Sequence, residues 1–186
     1  MKIKDDRSEF YSISESEEMW NEVQSSDRSA ILVVSAAFDT HLERILTKHF
    51  IKDGSKAKQL LESSLNSFGA RISICYCLGL INIDEQNDLN LIKGIRNSFA
   101  HNLLNCHFAN EEVKTAISNL TLIRKAGGKI SDFGLKKFFL VGVMLLDKAL
   151  LIRLNETITI KKCREIKSEE KIPNKRLQAD AAKLRH

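Results

Sequence analysis

Residues 27–50 read DRSAILVVSAAFDTHLERILTKHF, and this stretch decides the fold class. Ile31, Val34, Phe38, Leu42 and Ile45 follow one another at spacings of 3, 4, 4 and 3, which places them on one face of an α-helix and not on one face of a strand. Ser26 offers a hydroxyl for the N-cap, and Asp27 puts negative charge in the first turn, where the helix dipole favours it. A long helix with a single apolar stripe needs further elements to cover that stripe.

The neighbouring segments supply them as helices. Residues 14–23 form a short acidic amphipathic stretch, and Asp53-Gly54-Ser55 turns the chain into a helix over residues 56–65. Residues 69–80 are apolar and rich in small side chains, as in a buried helix. Asp84 is placed to cap a helix running to about Leu103, with Leu91, Ile95, Phe99 and Leu103 every fourth residue and Ile92 beside them. A helix from about Asn110 to Lys125 is broken by Gly127-Gly128, and Ser131 opens a last long helix to about Leu154. The expected architecture is all-α, a single-domain helical bundle of about seven helices. Only Thr157 to Ile160 alternates like a strand.

Composition agrees. The chain has 186 residues, 43% of them hydrophobic, with a single Pro and 8 Gly, which suits one domain with its own core and excludes collagen-like or linker-dominated sequence. The net charge of +5 is local, because residues 161–186 hold nine basic and four acidic side chains while the rest of the chain is formally neutral. A body-wide nucleic-acid surface is therefore not expected. The organisation read from the sequence is an acidic helical segment over 1–26, a helical domain over 27–155 and a basic tail over 156–186. The start of the chain lacks the pattern of a signal peptide, and the most apolar run, residues 138–146, is too short to cross a bilayer. A cytoplasmic protein with reduced thiols at Cys75, Cys77, Cys106 and Cys163 is expected.

The sharpest chemical feature is Arg96-Asn97-Ser98-Phe99-Ala100-His101. On a helix, Arg96 and His101 stand about 140° apart with Asn97 between them, all directed away from Leu91, Ile95 and Phe99. A guanidinium and an imidazole on one outward face suit the holding of a phosphate and the transfer of a proton, the needs of RNA cleavage by a 2′-hydroxyl. The competing expectation is that Asn97 and His101 tie this helix to a neighbour while Arg96 makes an ion pair.

Other groupings are weaker. Cys75 and Cys77 point about 200° apart on a helix and cannot grip one ion, and Cys106-His107 lacks two further ligands. His41 and His49 share a helix face with no accompanying metal-site pattern. No metal and no cofactor are expected, since nucleotide-binding loops and nucleophile motifs are absent from the sequence. Nor does any helix pair read as a persuasive DNA-reading motif.

The Arg96 to His101 string resembles the Arg-x4-6-His signature of HEPN domains. That resemblance implies an all-helical fold and, as in the ribonuclease members, a metal-independent site completed across a dimer. Arg96 would then stabilise phosphate charge, His101 act as acid or base, and Asn97 orient either one. A wider resemblance rests on Asp27-Arg28, Leu42-Glu43-Arg44-Ile45-Leu46, Ser67-Phe68-Gly69-Ala70-Arg71-Ile72, Leu78-Gly79-Leu80-Ile81, Asp88-Leu89-Asn90-Leu91-Ile92-Lys93 and Ile95-Arg96-Asn97-Ser98-Phe99-Ala100-His101. Taken in order, over about residues 27–150, these blocks look like the MltR family of mannitol operon repressors. This implies a bacterial regulator that works through protein contacts, with no established catalytic residue to carry over. Among the shared polar positions, Arg28, Glu43 and Arg71 are expected to form an interhelical ion-pair network. The segment 174–183 resembles a translated integron recombination site, which would make the gene a mobile cassette.

The expected function is thus a non-enzymatic MltR-type regulator or adaptor with a protein partner, itself a homodimer, without membrane attachment or direct DNA binding. The alternative is a HEPN-like ribonuclease or toxin using Arg96, Asn97 and His101, in which RNA is the partner.

Overall fold

The apolar stripe of residues 27–50 lies along one helix in a computed structural model that describes residues 17–50, 54–101 and 106–161. Helix α2 (Asp27–His49) follows α1 (Glu17–Ser25), and Ile31, Val34, Phe38, Leu42 and Ile45 are all fully buried. Its start is the expected one, with the Ser26 hydroxyl accepting from the Ser29 N–H at 3.0 Å. Further along come α3 (Gly54–Glu62), α4 (Phe68–Cys77), α5 (Ile83–His101), α6 (Glu111–Ser118), α7 (Thr121–Lys125), α8 (Ile130–Phe133) and α9 (Leu135–Glu156). Every regular element among the described residues is helical.

Helix α2 is central and packs against α1, α4, α5 and α9, while α5 also touches α4, α6 and α7. Phe38, Phe99, Phe138 and Phe139 are the largest fully buried side chains. Phe108 stands between two of them, edge-on to Phe99 with centroids 6.0 Å apart and 4.7 Å from Phe139. Helix α1 is part of this core, since Val23 is fully buried and Met19 and Trp20 pack against it.

The described residues form nine helices, in line with the expected all-α bundle of about seven, and the two more arise where segments read as single helices are divided. The helix expected over 110–125 is two, because the Asp88 carboxylate on α5 accepts from the N–H groups of Thr121 and Leu122 and starts α7 afresh. The helix expected from Ser131 is interrupted at Gly134, whose φ of +74° only glycine adopts readily. Helix α4 stops at Cys77, short of the expected Leu80. Gly79 with φ +68° lets Leu80 N–H reach the Cys75 carbonyl and Gly79 N–H reach that of Tyr76, the Schellman end.

The strand-like residues 157–160 form no strand, and they are not loose. Ile160 N–H donates to the His49 carbonyl, Thr159 Oγ1 to that of Lys48, and His49 Nδ1 to that of Ile158. Lys48 Nζ in turn donates to the Leu154 carbonyl at the end of α9 at 2.7 Å. The first part of the expected tail is therefore strapped across the end of α2. Residues 162–186 and the integron-like string lie outside the described residues. No described helix is long and apolar enough to cross a membrane.

Candidate functional site

The Arg96 to His101 string occupies the last turns of α5, and the rest of that helix explains how it is held. Asn82, not Asp84, caps the helix: Asn82 Oδ1 accepts from Glu85 N–H at 2.9 Å, and Glu85 Oε2 accepts from Asn82 N–H at 2.7 Å. This reciprocal capping box satisfies two N–H groups at once. Glu85 is buried and also accepts from Arg153 Nε on α9 at 3.1 Å. Asp84 pairs instead with Lys125 at 2.6 Å.

One turn on, Asp88 is fully buried beneath the start of α7. Burial pushes its carboxyl pKa up, opposed by the hydrogen bonds from Leu122 and Thr121 and reinforced by the charge of Asp84. The inward face of α5 is consequently not the purely apolar stripe expected. Leu91 is only half-buried, and Glu85 and Asp88 take core positions. Leu103 lies outside the described residues.

At the other end, Arg28 of α2 secures the string. Its Nη1 donates to the Phe99 carbonyl at 2.8 Å, and the guanidinium lies over the Phe99 ring, 5.7 Å from the centroid. The last four carbonyls of a helix have no partner within it, and Arg28 satisfies one of these from outside. Phe99 itself is fully buried. The outward positions Arg96, Asn97 and His101 are all exposed, and none of their side chains is hydrogen-bonded or ion-paired to another described residue. The tie to a neighbouring helix, one of the two expectations for this string, is not seen among the described residues.

The three network candidates separate into two places. Arg71 of α4 meets Glu43 through Nη2 at 3.0 Å and Asp39 through Nη1 at 2.8 Å, while its Nε donates to the Leu65 carbonyl at 2.9 Å. One side chain thus binds α2, α4 and the turn that leads into α4 together. Arg28 takes no part in that cluster. Nothing in this arrangement leaves Arg71 available to a ligand.

The remaining candidates are structural by geometry. His41 Nε2 meets Asp147 Oδ1 at 3.0 Å between α2 and α9, with both residues buried. Cys75 is buried and its thiol is pushed up to about 12 by burial, against the opposing charge of Arg71, whereas Cys77, two residues on, is exposed. Among the described residues no cluster of three or more His, Cys, Asp or Glu could hold a metal ion. No family model, no curated protein and no solved structure matches the chain.

Sequence reasoning missed Asp39, Asp88, Asp147 and Arg153, each of which acts on a partner remote in sequence. Only Asp88 carried a signal, an acidic residue one helical turn before the apolar Ile92 and two before Ile95.

Proposed function

We propose that this protein is a non-enzymatic bacterial regulator or adaptor of the mannitol operon repressor type, acting by contact with a partner protein. The observation that supports it is the contrast between the polar residues of the body. Arg28, Arg71, Glu85, Asp88 and the His41–Asp147 pair are all engaged in holding helices together. What α5 offers outward is a convex helical face bearing Arg96, Asn97 and His101. One helix surface in a single chain encloses no substrate and excludes no water, which limits chemistry but not recognition. The family resemblance of residues 27–150 points to the same function, as does a body without net charge to draw it to DNA.

A second reading, a metal-independent ribonuclease, is favoured by one specific observation: Arg96 and His101 are accessible and unengaged among the described residues. For catalysis they need a second copy to complete a concave site. The two readings separate in a transcript comparison between a strain lacking the gene and strains restored with the wild type or with the combined Arg96→Ala, Asn97→Ala, His101→Ala variant. The regulator changes the abundance of a confined set of transcripts from their ordinary 5′ ends. New internal 5′ ends in many transcripts, dependent on these three residues, would overturn it in favour of the ribonuclease.

A further inference from the structure

Helix α9 is apolar on more sides than the bundle covers. Its inward directions are fixed by its partners: Asp147 reaches His41 on α2, Gly142 faces Leu120 and Ile123, and Arg153 reaches Glu85 on α5. At about 100° per residue these three directions span roughly 140° of the helix circumference. Phe139, Leu146 and Leu150 fall within that arc, and all are fully buried.

Turned the other way are Lys137, Met144 and Lys148, which lie within about 40° of one another. Met144 is 41% exposed, and both lysines are exposed. Leu140 flanks this line on one side, and Val141 and Ile152 flank it on the other, each within about 40° of its edge. Ile152 is 46% exposed, and Leu140 and Val141 are half-buried. From Lys137 to Ile152 this outward face carries no carboxylate, and neither lysine side chain makes a hydrogen bond or ion pair. The face is therefore apolar at its flanks and positive along its centre line.

We propose that the outward face of α9 docks a helix of a partner protein, with apolar residues on its contact side and carboxylates facing Lys137 and Lys148. The proposal rests on the protein-contact reading above and adds a contact surface distinct from the outward end of α5. A straight helix with apolar residues three and four apart is the surface against which another helix packs. The two lysines stand about 16 Å apart along α9, so the carboxylates that answer them lie about three turns apart on the partner.

Charge complementarity selects this occupant. A second copy packed on the same face, parallel or antiparallel about its middle, sets lysine near lysine with no carboxylate to offset them. A helix lying on a membrane carries its cations on the polar side, whereas these lie along the centre of the apolar face. Nucleic acid would answer the lysines but leave the apolar flanks without apolar cover.

The test places a photoactivatable benzoylphenylalanine at Met144 of the full chain in cells, and separately at the exposed Leu32 on α2. The Met144 position is expected to give a protein adduct that nuclease does not remove, at a peptide whose carboxylates lie about three helical turns apart with apolar residues between them. Its yield should fall roughly tenfold or more when Lys137→Glu and Lys148→Glu are combined, with unchanged circular dichroism. Exchanging both carboxylates of the identified peptide for lysine should restore the adduct with that charge-reversed chain. Ile152→Ser, which alters no charge, should lower the yield of the otherwise unchanged chain as well. An adduct on nucleic acid, on lipid, on a second copy of this chain or on a peptide without those carboxylates, or a yield that ignores the charge reversal, overturns the proposal. A protein adduct from Leu32 alone overturns the α9 face while leaving a protein-contact regulator standing. No protein adduct from either position overturns both.

Discussion

Arg28 holds Phe99 by both backbone and ring: its guanidinium donates to the Phe99 carbonyl at 2.8 Å and lies 5.7 Å from the ring centroid. This places the first turn of α2 over the last turn of α5. The outward residues Arg96, Asn97 and His101 are thus mounted on a helix end fixed from beneath, while their own side chains stay exposed.

Removing that anchor should loosen the string without dismantling the bundle. Arg28→Ala leaves a buried-side carbonyl unsatisfied and is expected to cost about 1–3 kcal/mol in urea unfolding. Amide exchange should accelerate at residues 97–101 and change little in the middle of α2. Equal acceleration throughout the chain would show that Arg28 supports the whole core and not this end.

Asp88 sets the start of α7, and its substitution tests why α6 and α7 are separate. Asp88→Ala removes two charge-assisted hydrogen bonds from Thr121 and Leu122 and should cost about 2–3 kcal/mol. Its pH dependence has a definite sign. Because burial raises the carboxyl pKa in the folded state, the stability this group contributes is fully present below the ordinary carboxylate value and is lost as pH rises through the raised one. The advantage of wild type over Asp88→Asn should therefore shrink from acid to neutral pH in urea midpoints. An advantage that grows over that range would contradict the raised value.

These two residues also mark how far the sequence could be read. The α2 stripe, the Ser26 cap and the exposure of Arg96, Asn97 and His101 depend on local helical geometry, and they stand where periodicity puts them. The break between α6 and α7 depends on an acceptor more than thirty residues earlier, so no local pattern announces it. Arg28 was legible as a polar position but not as an anchor, because its partner is a backbone carbonyl and carries no side-chain signature. Of the expected trio, Glu43 and Arg71 meet and Arg28 stands apart, since charge type alone does not say which of several cations a carboxylate reaches.

Arg71 is the strongest single junction between α2 and α4. Arg71→Met strands Asp39 and Glu43 beside one another and frees the Leu65 carbonyl. Both carboxylates are partly exposed, so the cost is expected at about 2–3 kcal/mol, below that of a fully buried pair. Arg71→Lys should recover little, because one ammonium cannot bind three groups lying in the plane of a guanidinium. Full recovery by lysine in thermal unfolding would show that charge alone matters.

The cysteines give a probe of native packing. At pH 8, iodoacetamide should modify Cys77 in the native protein and spare Cys75, whose thiol is buried and held up to about 12. In denaturant both should react, as peptide mapping by mass spectrometry will show. Labelling of native Cys75 at the rate of Cys77 would mean that α4 opens readily from the core.

The central claim, that the exposed end of α5 recognises and does not cleave, is tested most directly by incubating purified protein with RNA without added metal. Wild type, Arg96→Ala and His101→Ala are compared after each is shown to be folded. The account predicts no cleavage above background by any of the three. Cleavage by the wild type that is lost in both variants would contradict it and make Arg96 and His101 the catalytic pair of a ribonuclease.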